Sequence, residues 1–372
     1  MHTGEKSGET KPRHIDKWAV TLSLTAVCLL ALTMWAWQVT NSHTDQEPNF
    51  ITNASHAADF GATKSAGATN TETTTLIAVG DIMVSRYVEE KMIHTRDWRY
   101  PFLQTAAITS RGEIIFGNLE SPLVSGPIVE TDGMSFRADP RAVSGLSYAG
   151  FNVLSLANNH MKNKGGAGIT STITTLDQAN ILHAGAGLDD VSAREPAIIE
   201  KNRITFGFLA YTDSAFTPAP YEATPTRSGS PFLNEKTLAD DITKLKLRAD
   251  VVIVSMHAGT EYQDVQNQKQ INFAHQAIDL GAQVVIGHHP HVVQPVEYYR
   301  DGYILYSLGN FVFDQMWSEK TQEGAIATIT FSGIQPISLK ITPIKIFEYA
   351  QPRVIEGTEA DAILMRMDSF TK

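Results

Sequence analysis

Cysteine is all but missing from this sequence. Cys28 is the one cysteine among 372 residues. Nothing downstream of it can therefore form an internal disulfide, a cysteine zinc cluster or a thiol nucleophile. A basic excess is missing too. Setting aside the four basic and three acidic residues of positions 1–39 leaves 26 Lys and Arg against 37 Asp and Glu, a formal charge of −11. That balance argues against nucleic acid or anionic lipid as a partner of residues 40–372. The sequence has no G-x-S-x-G elbow after a strand, no G-x-x-x-x-G-K-[ST] loop and no strand-linked G-x-G-x-x-G. Serine-hydrolase, P-loop and dinucleotide-binding readings fall with them.

Long apolar runs are scarce, and the exception is instructive. Residues 18–39 (WAVTLSLTAVCLLALTMWAWQV) carry no charge and match the length of a membrane-crossing helix. Trp18, Trp35 and Trp37 lie towards its ends, where aromatic rings favour the membrane interface. Lys11, Arg13 and Lys17 precede the run, Asp45 and Glu47 follow it, and no further basic residue appears before Lys64. The positive-inside bias predicts a cytoplasmic N-terminus and an extracytoplasmic remainder. A cleaved signal peptide would have a shorter apolar region followed by small residues. Trp35-Ala36-Trp37-Gln38 stands there instead, which favours an uncleaved anchor. A lipoprotein reading of Cys28 fails because Val27 precedes it and the apolar run continues beyond it.

The expected organisation is a cytoplasmic tail (1–17), a transmembrane anchor (18–39), a flexible linker (40–75), a folded domain (76–350) and a C-terminal tail or short helix (351–372). The linker is rich in Thr, Ser, Asn, Ala and Gly and shows no period. Beyond it, β-type apolar runs recur at 76–79, 114–116, 153–156, 251–255 and 284–286, with helical patterns at 168–180, 234–247 and 268–280. Strands alternating with helices predict an α/β fold. Runs at 204–211, 303–306, 325–331 and 337–346 follow one another closely and predict some antiparallel pairing.

Unusual polar residues fall at the ends of these runs. Asp81 follows Gly80; Asn118 and Glu120 follow Gly117; Asn158, Asn159 and His160 follow Ala157; His257 follows Met256; His288, His289 and His291 follow Gly287. The C-terminal edge of an open α/β sheet is where ligands bind, so one sheet edge is expected to gather them. The glycines permit tight turns and close backbone approach. Carboxylate and amide oxygens with imidazole nitrogens suit divalent metal, one or two ions of Mn, Zn or Fe. Each residue alone also reads as a turn former, a strand cap or a satisfied core histidine, and Asn158-Asn159 is good turn chemistry. His94, His183 and His275 stand outside the pattern. The run Lys162-Asn163-Lys164-Gly165-Gly166 reads as a solvated loop.

Six segments together resemble the CapA/PgsA family of poly-γ-glutamate capsule-biosynthesis proteins. They are AVGDIMVSR (78–86), FGNLESPL (116–123), LSLANNHMKNKG (154–165), MHAGTEY (256–262), GAQVVIGHHPHVVQPVE (281–297) and YSLGNFVFDQ (306–315). The resemblance implies a calcineurin-type metallophosphoesterase fold, a four-layered α/β sandwich, behind one transmembrane helix. It implies metal roles for Asp81, Glu120, Asn159, His257, His289 and His291, with His288 as an alternative one position out of register. His160 is implied as proton donor. Asn118, Asn158, His288, Arg86, Glu261 and Asn310 are implied as supports of the ligands or contacts of substrate. Two positions depart from the phosphoesterase pattern. Met83 fills the place of a first-strand histidine, and Asn118 follows Gly117 where a bridging aspartate stands. The site could therefore hold one metal rather than two, or bind its ligand without hydrolysis.

The implied function is an extracytoplasmic, membrane-anchored part in making or exporting an anionic capsule polymer, beside synthase or export subunits. A metal-dependent hydrolase, phosphoesterase or amidase, acting on an envelope substrate is the second reading. A non-catalytic polymer-binding module is the third.

Overall fold

A computed structural model describes residues 58–59, 72–126, 129 and 133–368. The expected tail (1–17) and anchor (18–39), and most of the linker, lie outside these residues. Among the described residues no helix is long and apolar enough to cross a membrane.

The chain builds one sheet, leaves it for a second, and returns. It first forms β1 (Ala58–Asp59), β2 (Thr73–Ile82), β3 (Ile114–Leu119), β4 (Val153–Ser155) and β5 (Leu182–Ala184). It then forms β6 (Ala197–Lys201), β7 (Ile204–Thr212), β8 (Val251–His257), β9 (Val284–His288), β10 (Val296–Tyr299) and β11 (Gly302–Leu305). Last come β12 (Asn310–Val312), β13 (Glu323–Ser332), β14 (Gln335–Phe347) and β15 (Gln351–Val354). The nine-stranded sheet runs β1-β14-β13-β2-β3-β4-β5, with β12 beside β2 and β15 beside β14; the six-stranded sheet runs β10-β11-β9-β8-β7-β6. Both are mixed. Strands β2 to β5 pair in parallel while β13 and β14 are antiparallel. Strands β7, β8, β9 and β11 are parallel while β6 and β10 are not.

Successive residues of a strand point to opposite faces, so the near-continuous apolar runs of the central strands make both faces of each sheet apolar. On β2, Leu76 and Ala78 join Phe206, Phe208, Val251 and Ile253 of the second sheet in the core between the sheets. Ile77 and Val79 join Val88, Met92, Leu146 and Ile169, from helices on the outer face. On the second sheet, Val252, Val254 and Met256 meet Leu238, Ile242, Phe273 and Ala277 of the helices Glu235–Leu245 and Gln268–Asp279. Each such fully buried Leu, Ile, Val or Phe contributes about 1.5–3 kcal/mol.

Several boundaries differ from the sequence reading. Ala58–Asp59, within the expected linker, pairs with Lys340 and Ile341 at the sheet edge. Strand β2 starts at Thr73, extending the apolar run through a Thr segment whose β-branched side chains suit a strand. Gln351–Val354 is a strand on β14, and the terminal helix is Thr358–Met367. The largest difference concerns the site. One sheet edge was expected to gather the polar residues, and two sheets share them. Alternation alone cannot tell two sheets from one, because the strands that carry the site, β3, β4, β8 and β9 and most of β2, are buried on both faces.

Candidate metal centre

Each polar side chain reaches the centre because a parallel strand ends beneath it. Asp81 lies in β2, Asn118 in β3, and Glu120 directly after β3. His257 and His288 pair as the last residues of β8 and β9. Gly80 and Gly287 are in these strands, not in turns, and their need is close approach. A Cβ on Gly80 would lie 1.9 Å from the Gly309 carbonyl oxygen, and one on Gly287 would lie 2.0 Å from that of Tyr306.

The structure brings Asp81, Glu120, Asn159, His160, His257, His288 and His291 together. Asp81, Glu120 and His291 offer ligand atoms within 4.8 Å of one another, as do Glu261, His289 and His291. Glu120 Oε1 lies 3.9 Å from His160 Nε2, 4.0 Å from His257 Nε2 and 3.9 Å from His291 Nε2. It has no hydrogen-bond partner among the described residues. His257 Nε2 lies 3.0 Å from Asn159 Oδ1. Asp81 Oδ1 is 3.4 Å from His288 Nδ1, outside hydrogen-bond geometry, and Asp81 Oδ2 accepts from the His289 backbone N–H at 3.2 Å.

Asn118 is scaffold here. Its Nδ2 donates to Asp81 Oδ1 at 2.8 Å, and its Oδ1 accepts from Asn158 Nδ2 at 3.0 Å. Asn158 in turn donates to the Leu119 carbonyl (2.9 Å) and accepts the backbone N–H of His160 and Met161 (3.1 and 2.8 Å), which shapes the turn. Asn310 fixes His291, whose Nδ1 is 2.9 Å from Asn310 Oδ1. Arg86 does not enter the cluster directly: it pairs with Asp314 and lies 4.9 Å over the Phe136 ring. Met83 is fully buried in the apolar core, where its sulfur accepts from Ser85 Oγ at 2.7 Å.

Three supports were missed in the sequence. Asn163 Oδ1 lies 3.0 Å from His160 Nδ1, Phe136 stacks on the His160 ring at 3.9 Å, and Phe216 stacks on His289 at 3.4 Å. Only Asn163 had a signal, its place inside the NNHMKN segment; the loop read there as solvated is anchored, with Lys162 Nζ donating to the Pro220 carbonyl at 2.6 Å. His275 is where its helix suggested, paired with Glu297 at 3.0 Å away from the centre.

Burial, and secondarily the neighbouring imidazoles, hold the pKa values of His257 and His289 well below the ordinary range. Burial likewise lowers His160 to about 4, against the opposing hydrogen bond from Asn163. Neutral imidazole is the state that ligates metal. Burial, then the charge of Asp81, pushes Glu120 well above the usual carboxylate range. For Asp81 burial also works upward, but His288, His257 and His291 together outweigh it and hold the carboxyl low. A buried carboxyl oxygen without a hydrogen-bond donor, ringed by three imidazoles, fits a cation. The donor set of oxygen and nitrogen suits Zn²⁺, Mn²⁺ or Fe²⁺.

Fold and centre together define an α/β protein of mixed sheets with a metal-type Asp/Glu/Asn/His cluster where strand ends of two sheets meet. The sequence model of the family described as "Bacterial capsule synthesis protein PGA_cap" matches residues 75–315, and the chain belongs to that family. It is 29% identical to "Capsule biosynthesis protein CapA" of Bacillus anthracis, over 99% of this chain and 84% of that protein. It is 32% identical to "PGA biosynthesis protein CapA" of Bacillus subtilis strain 168, over 73% of this chain and 71% of that protein. Among solved structures it is similar to the calcineurin-like phosphoesterase YfkN from Bacillus subtilis, with 13% identity and a TM-score of 0.45 over 79% of this chain and 96% of that one.

Proposed function

We propose that this chain is an accessory protein in the synthesis or export of an anionic capsule polymer of the poly-γ-glutamate kind. It works outside the cytoplasm from a single anchor at 18–39, beside synthase or export subunits, through a divalent-metal centre in a four-layered sandwich of the metallophosphoesterase type. The observation that carries this reading is the family match along residues 75–315, which takes in Asp81, Glu120, Asn159, His257, His289 and His291. A bound ion would supply Lewis acidity towards a carboxylate, carbonyl or phosphoryl oxygen. The chain's own residues do the rest. Asn118 holds Asp81, Asn310 orients His291, and Asn163 with Phe136 fixes the His160 ring. In a strain lacking this protein, the parent sequence should restore surface polymer while Asp81→Asn and His257→Ala should not. Full surface polymer in the lacking strain would sink the proposal. Fractionation of the same cells should place the parent protein in the membrane.

The second reading, a metal-dependent hydrolase, is favoured by His160. With Nδ1 directed to Asn163, its Nε2 faces Asn159 Nδ2 at 3.1 Å and Glu120, so this neutral ring presents a lone pair to the centre. It can take a proton there and return it to a leaving group. Metal-dependent turnover of a phosphoester or amide panel, lost in His160→Ala, supports it; no turnover by the metal-loaded protein opposes it.

A further inference from the structure

We propose that Tyr262 and Trp317 form an aromatic wall beside the centre that reads the γ linkage of its polymer, each ring covering the uncharged spacer between one carboxylate-bearing unit and the next. The proposal rests on the poly-γ-glutamate reading above and adds to it the residues that tell this linkage from another. Trp317 is 64% exposed and Tyr262 42% exposed, whereas Trp98, the other described tryptophan, packs against the core. Single exposed apolar side chains are ordinary, but two contiguous aromatic rings next to a buried polar cluster mark a place where something binds. The Tyr262 ring centroid lies 6.2 Å from that of the buried His291, with planes 30° apart, and 6.2 Å from that of Trp317. The wall thus starts on a histidine of the centre and leads outwards in two equal steps.

Both rings stand on segments that are held in place before any ligand arrives. Tyr262 has left-handed backbone, with φ of 64°, a conformation that persists in a non-glycine residue only where the surroundings impose it. Its N–H donates to the Pro290 carbonyl at 2.8 Å, and the next carbonyl, of Gln263, accepts from Gln294 Nε2 at 2.8 Å. Around Trp317, Thr321 Oγ1 donates to the Ser318 carbonyl at 2.9 Å and Gln322 Nε2 to the Met316 carbonyl at 3.0 Å. Lys320 pairs with Asp264 and ties the two loops together. A wall organised in advance loses little entropy when a chain lies on it.

The chemistry of the wall selects what lies on it. The cations near it are taken, Lys320 by Asp264 and Arg86 by Asp314, and Glu261 adds negative charge beside Tyr262. Carboxylates are therefore not what the rings attract. A γ-linked glutamate unit places two methylenes in the main chain and advances about 6 Å when extended, five bonds against the three that carry an α-linked residue about 3.5 Å. The ring spacing matches the first repeat and not the second. Each ring can then cover one pair of methylenes while the carboxylates turn to solvent, a burial that the main chain of an α-linked polymer does not offer.

The test is calorimetric titration of the full-length protein, at equal Mn²⁺ content, with γ-linked and α-linked glutamate oligomers of equal length and charge. The parent should bind the γ-linked oligomer about tenfold or more tighter than the α-linked one. Trp317→Ala should lose that preference, and Trp317→Phe, which keeps a ring, should retain most of it. Trp317→Ala should melt with the parent; if it does not, Trp317→Gln, which keeps bulk without the ring, is read in the same way. A Trp317→Ala protein that keeps the parent's preference overturns this proposal and leaves the polymer reading standing. So does a Trp317→Phe protein that loses the preference as fully as Trp317→Ala, or a parent that binds the α-linked oligomer as tightly as the γ-linked one. A parent that binds neither oligomer overturns both.

Discussion

His291 Nδ1 lies 2.9 Å from Asn310 Oδ1, and this contact decides which ring nitrogen carries the hydrogen. The Asn310 amide cannot turn round, because its Nδ2 donates to the Thr321 carbonyl at 2.8 Å and to Gln315 Oε1 at 3.0 Å. Its Oδ1 must therefore accept, His291 Nδ1 carries the hydrogen, and Nε2 is left with its lone pair towards Glu120. Asn310→Ala should lower metal affinity by about 10–100-fold without removing any ligand. Competition against a chelating dye measures this, and an unchanged affinity would show that the contact is incidental.

Met83 tests the missing first-strand nitrogen. Its sulfur is in the apolar core beside Ser85, so Met83→Leu should bind Zn²⁺ or Mn²⁺ as the parent does. Elemental analysis after dialysis reads the result. Metal lost with the thioether would make Met83 a ligand and contradict its packing in the apolar core.

Glu120 gives metal binding a pH dependence of definite sign. Burial and the charge of Asp81 raise its pKa, so a cation bound there competes with a proton to higher pH than at an ordinary carboxylate. Affinity should rise with pH, and binding should release up to about one proton. Calorimetry in two buffers of different ionisation enthalpy counts the proton. Glu120→Gln should release none, and equal release from parent and variant would place the proton elsewhere.

Glu89 should govern stability instead. Burial pushes its carboxyl up to about 7, against the pull of Arg137 at 3.7 Å. The folded state thus binds this proton more tightly than the unfolded state, whose value is near 4.5. Between those two values folding is favoured by protonation, so this group's contribution falls as pH rises through the window. Glu89→Gln should melt close to the parent at pH 5 and above it at pH 8, pH values chosen at about the two ends of the window. The same melting difference at both would remove Glu89 as the cause.

Much of the centre was legible because parallel strands announce themselves. Runs such as VVIVSM before His257 and VVIG before His288 are too apolar and too short for anything but buried strands. A polar residue at the end of such a run stands at a sheet edge by construction. Asn118 was harder to read. Its amide sits between Asp81 and Asn158 and reads from sequence as a departure from a metal pattern, whereas in space it is a brace. Phe216 and Phe136 gave no signal at all, since a stacked ring beside a histidine has no signature along the chain.

The sequence by itself determined the local alternation, the strand ends and the types of donor atom, because these follow from residue chemistry and a period of two. Only the tertiary structure decided that β2 and β3 belong to one sheet while β8 and β9 belong to another. It also decided that Met83 turns into the core while the half-buried Glu261 stands beside His289 and His291. The reason is physical. A strand buried on both faces carries the same apolar pattern whichever sheet it joins, so sheet partners are chosen by long-range packing that no local pattern records.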